Sequence, residues 1–122
     1  MHDAPSQSEM IAAVKSFIDQ TALPSLKGHA AFHARVASNV LATVLRELEH
    51  RPAAESAERQ RLVALLNADD TAPVDRLNRD LCEKLRNGEL DLSSPGLLSH
   101  LKTTTIDQLS IDQPGYSGLN PD

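Results

Sequence analysis

Apolar residues recur at helical spacing along this chain, in segments separated by turn-forming residues. Ser6 and Glu9 have the spacing of a capping box, which predicts the start of a first helix. Leu23-Pro24 predicts its end. The apolar face of this helix consists of Met10, Ile11, Val14, Phe17 and Ile18.

The second predicted helix follows Gly28 and has the most regular pattern. Its apolar residues recur every four positions at Phe32, Val36, Val40, Val44 and Leu48. Three more apolar residues widen this stripe: Ala37, Leu41 and Leu45. Because the stripe has the breadth of a core-facing surface, we expect this helix to be central and to end near His50, before Pro52.

Three further helices are predicted in the second half of the chain. One starts near Pro52 and carries its apolar residues at its C-terminal end, at Leu62, Val63, Leu65 and Leu66. The next is marked by Val74, Leu77, Leu81 and Leu85 and is closed by Asn87-Gly88, with Cys82 at the flank of the leucine stripe as a core thiol. Ser94-Pro95 predicts the start of the last, which continues through Leu98, Leu101, Thr105 and Leu109.

No segment alternates with the period of a β-strand, and the predicted connections are short. The expected fold is therefore all-α, an antiparallel bundle of about five helices in one domain spanning residues 1–122. We expect an ordered core over residues 6–112 and an irregular tail over residues 113–122, which are rich in glycine and proline.

Composition excludes several classes of function. The formal net charge of -5 and the dispersed basic residues predict no nucleic-acid partner. No apolar run is long enough for a membrane span, and the polar N-terminus does not resemble a secretory signal. Cys82 is the single cysteine, so no internal disulfide can form, and the expected location is cytoplasmic.

The histidines suggest little metal chemistry. His29 and His33 have the i, i+4 spacing of a metal-binding pair, but a third ligand would have to come from His100 or a carboxylate on another helix. We therefore expect no metal site. The glycine-rich loops that bind phosphates are absent from the sequence, and no cofactor is expected.

Two polar groups are candidates for binding a partner or ligand. Arg35, Asn39 and Arg46 fall on one side of the second helix and could bind an anion or a protein, or form a solvated face. His100 and Asp107 share one side of the last helix and could transfer a proton, or form a polar outer face.

Tyr116 is the only tyrosine and lies in the tail. Its ring is apolar and its hydroxyl can be satisfied across a contact, so it could anchor a docking arm. Alternatively, it folds back on its own bundle.

Four sequence segments resemble a small bacterial family of helical domains of undefined function (DUF6285). They are Phe32–Asn39; Leu77-Asn78 with Leu81-Cys82 and Leu85–Gly88; Pro95–Leu101; and Ile111–Pro114. The resemblance implies a gene neighbourhood with aminoglycoside-phosphotransferase-type kinases and acyl-CoA dehydrogenases. It also implies similarity to the accessory subunits of hydroxyacyl-CoA kinases.

Two functional hypotheses follow. In the first, the chain is a non-catalytic accessory subunit of a phosphotransferase-fold kinase acting on hydroxyacyl-CoA or a related small molecule. In the second, it is a small helical enzyme or acyl-ligand-binding protein, with His33, His100 and Asp107 converging on a pocket. A homodimer is compatible with either hypothesis, because a second copy can cover excess apolar surface.

Overall fold

The computed structural model describes residues 4–120, and regular structure in that range is helical throughout. This confirms the predicted all-α class. The elements in chain order are α1 (Gln7–Phe17), a π-helical segment (Ile18–Ala22), the single turn α2 (Leu23–Ser25), α3 (Gly28–Leu66), α4 (Val74–Arg86), α5 (Leu97–Asp112) and a 3-10 turn (Ser117–Leu119). Within residues 4–120, four helices are longer than one turn, where about five were expected.

The helix count differs because α3 is one helix of 39 residues with Pro52 inside it. The sequence predicted a break at Pro52, since proline lacks the amide that bonds to the preceding turn. That loss affects one hydrogen bond, whereas the flanking Arg51, Ala53, Ala54 and Glu55 are among the best helix formers. The helical conformation therefore continues through the proline.

The chain forms two compact units, Met1–His50 and Arg51–Asp122. We call them the N-terminal unit and the C-terminal unit. In the N-terminal unit, the capping box is confirmed, because Ser6 Oγ accepts from the Glu9 amide at 3.1 Å and Glu9 Oε2 accepts from the Ser6 amide at 3.4 Å. The helical backbone extends past the predicted stop at Leu23-Pro24, to Ser25.

The N-terminal unit is held together by small residues. Its buried described residues are Ala31 and Ser38, both on α3. Ser38 Oγ donates a hydrogen bond of 2.5 Å to Asp19 Oδ1, and Lys15 Nζ contacts the other oxygen of that carboxylate at 2.6 Å. The bond from Lys15, followed by that from Ser38, lowers the pKa of Asp19 below its ordinary 3.8.

The predicted core stripe of α3 is wrong. Phe32, Val36 and Val40 are 59%, 43% and 55% exposed, Leu48 is exposed as well, and Val44 is half-buried. The buried residues are Ala31 and Ser38 instead. Leu41 and Leu45, which the sequence placed beside the stripe, lie on the same side of α3 as Ser38 and are half-buried. The side of α3 that packs within the unit is therefore displaced from the predicted stripe.

The C-terminal unit has a leucine core. Leu62 of α3, Leu77 and Leu81 of α4 and Leu97 at the start of α5 form one buried cluster. Val63, Leu65, Leu66, Ala68, Ala72, Val74 and Leu90 are partly buried against it. The expected apolar C-terminal end of the third predicted helix is therefore confirmed. The stripe of the fourth is confirmed at Val74, Leu77 and Leu81, whereas Leu85 is exposed.

Glycine and asparagine residues set the ends of these helices. Asn87 caps α4, and Gly88 follows it with a φ of 75°, as the sequence indicated. By contrast, α5 begins at Leu97 rather than at Ser94-Pro95, because Gly96 adopts a φ of 85°, which interrupts helical geometry. Within residues 4–120, no helix combines the length and the apolar character needed to cross a membrane.

Candidate functional site

The N-terminal unit presents an apolar surface on one side of α1 and α3. Met10 and Ile11 of α1 line an open depression of about 350 Å³ together with Val44 and Leu48 of α3. Gln7 completes the lining, so the depression is almost entirely apolar.

The two helices of this unit run antiparallel. Met10 lies beside Leu48 in the depression, and nine residues further along the chain Asp19 is bonded to Ser38. Because residues four apart lie on the same face of a helix, Val14 and Val40 follow on the same side, one turn from the depression. We call this the apolar side. Its members are Met10, Val14 and Phe17 of α1 and Val40, Val44 and Leu48 of α3.

A second surface adjoins the apolar side along α3. Phe32, Arg35, Val36 and Asn39 have offsets of three, four and seven, so they share one face, and all four are exposed. We call this the outer face. It combines an aromatic ring that is 59% exposed with a guanidinium and an amide.

Two of the predicted binding residues of α3 depart from this arrangement. His33 is exposed and touches the Phe32 ring edge-on, with ring centroids 5.5 Å apart, but it lies two residues from Arg35 and so points about 160° away from it. Arg46 is half-buried and donates to Thr43 Oγ1 at 3.1 Å. The sequence grouped Arg35, Asn39 and Arg46; in the structure, Arg35 and Asn39 are the exposed pair.

In the C-terminal unit, His100 is buried, so the expectation of a polar outer face is wrong at this position. Arg61 donates from Nε to His100 Nδ1 at 3.3 Å and from its terminal nitrogen to Thr104 Oγ1 at 3.1 Å. Arg61 was not among the residues predicted from the sequence, because its partner His100 lies 39 residues away along the chain.

The electrostatics of His100 favour the neutral imidazole. Burial lowers the pKa of His100 below its ordinary 6.5, and the positive charge of Arg61 lowers it further, against an opposing contribution from Glu58. A neutral ring that accepts at Nδ1 carries its proton on Nε2. His100 is therefore a structural acceptor for Arg61 in this arrangement.

Asp107 lies two turns after His100 on the same side of α5, and Thr104 between them is the residue that Arg61 also bonds. Asp107 lines a cavity of about 20 Å³ whose other lining residues are Arg51, Ala54, Glu55, Glu58, Thr104, Gln108 and Ile111. That volume holds about one water molecule. Among residues 4–120, no group of three or more histidine, cysteine or acidic side chains is arranged to hold a metal ion.

The remaining candidates lie on the surface. Tyr116 is 50% exposed, and its ring covers Gly118, where an added Cβ would come within 2.6 Å of the ring. Cys82 is exposed, so the predicted core thiol is wrong. Leu81 is the buried residue at this point of α4, and its neighbour Cys82 faces outward beside Asn78 and Arg86.

The family match covers the segment that carries the outer face and the leucine core. Residues 24–116 match the model described as "Domain of unknown function (DUF6285)", which is more than half of the chain. The chain belongs to the DUF6285 family. The matched range contains all four segments on which the resemblance was based, and α1 precedes it.

The chain matches no curated protein and no solved structure. DUF6285 membership therefore supplies a family but no assigned activity, and the surfaces described above carry the functional argument.

Proposed function

We propose that this DUF6285 protein is a non-catalytic interaction subunit of a phosphotransferase-fold kinase that acts on hydroxyacyl-CoA or a related small molecule. In this proposal it works in the cytoplasm and binds the kinase through its outer face. The observation that carries the proposal is the exposure of Phe32 on a helix surface that also presents Arg35 and Asn39.

The composition of the outer face is that of a protein interface. Binding energy in such interfaces concentrates in a few aromatic and arginine residues, with polar groups around them. Phe32 and Val36 supply the apolar centre, and Arg35 and Asn39 supply groups that can pair with a carboxylate or carbonyl of the partner. Moving the exposed ring of Phe32 from water into an apolar interface lowers the free energy, so its burial by a partner is favourable.

The family resemblance is the reason for proposing a kinase as the partner. The Phe32–Asn39 segment is one of the resembling segments, lies within the matched range and contains all four residues of the outer face. The kinase activity would belong to the partner, and this chain would stabilise or complete its site.

The alternative hypothesis is a small enzyme or acyl-ligand-binding protein built on His33, His100 and Asp107. Ligand pockets have volumes of about 300–1,000 Å³, whereas the cavity at Asp107 measures about 20 Å³. His100 is already bonded to Arg61 through Nδ1. No specific observation therefore favours a catalytic or ligand site built on His33, His100 and Asp107.

The test is co-expression of this chain with the phosphotransferase-fold kinase encoded nearest to it. We expect the two proteins to co-purify, and phosphorylation of a hydroxyacyl-CoA substrate to depend on this chain. Phe32→Asp should abolish co-purification, because it places a charge at the centre of the interface.

The matched control is Leu98→Asp, which introduces the same charge at a 62% exposed apolar residue of α5. This variant should co-purify like the wild type. Separate elution of the wild-type proteins with unchanged kinase activity would overturn the proposal, as would loss of binding in Leu98→Asp but not in Phe32→Asp.

A further inference from the structure

The apolar side of the N-terminal unit borders the proposed kinase contact, because Val36 of the outer face lies one turn before Val40. The members of the apolar side themselves are not part of that contact. Met10, Val14 and Phe17 of α1 are 49%, 53% and 59% exposed. On α3, Val40 is 55% and Leu48 37% exposed. These residues lie along both helices on the side fixed by the open depression between Met10 and Leu48.

The N-terminal unit has no large apolar side chain in a core of its own. Among its described residues the buried ones are Ala31 and Ser38, and neither contributes much apolar area. Helices gain most of their stability in proteins from packing an amphipathic face. Ile11, Ile18, Leu23, Leu41 and Leu45 are half-buried in this unit. The more exposed Met10, Val14, Phe17 and Val40 contribute less to stability until something covers them.

The exposed area of the apolar side is close to the apolar part of one partner's share of a standard dimer interface. The members of the apolar side together expose about 500 Å² of mostly apolar surface, from typical areas of such side chains. Dimer interfaces are about 65% apolar, so a polar rim would bring the total near the roughly 800 Å² per partner of a standard interface.

The absence of charged residues on the apolar side favours one kind of binding partner. None of the six members is ionisable, and Gln7 at the rim of the depression is neutral. A surface without charge offers no complementarity to an acidic or basic partner. It complements another uncharged apolar surface of the same size, and a second copy of this chain always supplies one.

We propose that two copies of the chain associate through their apolar sides. A two-fold axis brings each patch against its equivalent, which is the usual geometry of homodimers. Two antiparallel helices from each copy then form a four-helix core, with knobs supplied by Val14, Phe17 and Val40. Phe32 and Arg35 are not members of the apolar side, so the dimer contact proposed here does not include them, although Val36 and Val40 lie side by side where the two surfaces meet.

The test is the mass of the purified chain in solution, measured by light scattering after size exclusion at concentrations up to about 100 µM. The wild type should elute at twice 13.2 kDa. Val14→Glu and Val14→Lys should each be monomeric, with the dimer dissociation constant raised at least about 100-fold, since both copies carry the charge. Leu98→Glu, on α5, should remain dimeric.

Mixing the two variants separates a lost interface from a lost fold. An equimolar mixture of Val14→Glu and Val14→Lys should regain the dimer mass, because opposite charges then face the same interface. A monomeric wild type at the highest concentration would overturn the proposal. So would a dimer that persists in both charged variants, or wild-type monomers whose apolar side is covered only when the kinase is added.

Discussion

The two units of this protein have similar apolar periodicity but bury different residues. In the C-terminal unit, Leu62, Leu77 and Leu97 are almost completely buried. In the N-terminal unit, Phe32 and Val40 occupy equally regular positions and are more than half exposed. The comparison shows that a regular stripe of large apolar residues does not by itself determine whether those residues are buried within the chain.

The difference arises from the residues beside each stripe. In α3, Ala31 and Ser38 offer a small-residue face that α1 and the following segment can approach closely, anchored by the bond between Ser38 and Asp19. In α4, no such face competes with the leucines, because charged residues cover the rest of the helix. The leucines therefore face the core there.

The largest expected effect concerns the leucine core. Leu62→Ala should lower the free energy of unfolding by about 3 kcal/mol, because it leaves a cavity at a completely buried position. Val40→Ala, at a 55% exposed position, should change the stability of the monomer by less than about 0.5 kcal/mol. Urea unfolding followed by circular dichroism, with dimer-deficient Val14→Glu as the background, measures both. Similar losses of unfolding free energy in Leu62→Ala and Val40→Ala would contradict the difference in burial between the two units.

The second prediction concerns pH. The folded-state pKa of His100 lies below 6.5, so the unfolded chain binds the proton more tightly. The stability contributed by the neutral ring is present above about pH 6.5 and is lost as the pH falls through the folded-state value. His100→Gln should flatten the decline in stability between pH 7 and pH 5, measured by urea unfolding. If stability declines equally in wild type and His100→Gln, titration of groups other than His100 causes the decline.

A smaller effect is expected at the hydrogen bond between Ser38 and Asp19, within the N-terminal unit. Ser38→Ala should lower stability by about 1 kcal/mol, because it removes a hydrogen bond at a buried position. The bond to Asp19 should also raise protection from hydrogen exchange in α1 and the π-helical segment. Thr43→Ala, on the same helix, is the control. Equal losses in the two variants would show that the Asp19 contact has no special role.

The smallest effect is expected at the start of α1. Ser6→Ala removes one half of the capping box and should cost about 0.5 kcal/mol, confined to the first turn. Amide exchange of Glu9 and Met10 should accelerate, while exchange in the C-terminal unit stays the same. Faster exchange throughout both units would contradict this local role.

Helix positions and fold class could be predicted from the sequence because they depend on local signals. The Ser6–Glu9 capping box and the Asn87-Gly88 stop both lie where the pattern placed them. The start of α5 was missed by two or three residues because Gly96, not Pro95, sets the local backbone. The predicted break at Pro52 is wrong, because one lost hydrogen bond was given too much weight against the helix-forming neighbours of the proline.

The candidate site was less predictable because burial depends on which face finds a partner. The sequence identified Arg35 and Asn39 as a surface pair, and the structure leaves both exposed. It treated Phe32 as core, although Ala31 beside it was the residue suited to a close helix contact. The role of Arg61 as donor to His100 involves a contact 39 residues apart along the chain, which no local pattern contains.

The measurement that tests the account most directly is a titration of the purified kinase with this chain and two variants, by isothermal calorimetry. Phe32→Ala should weaken binding at least about tenfold, because it truncates the exposed aromatic anchor of the outer face. Leu98→Ala, at a similarly exposed residue of α5, should bind like the wild type. Equal binding by both variants, or no binding by the wild type, would contradict the assignment of the outer face as the partner surface.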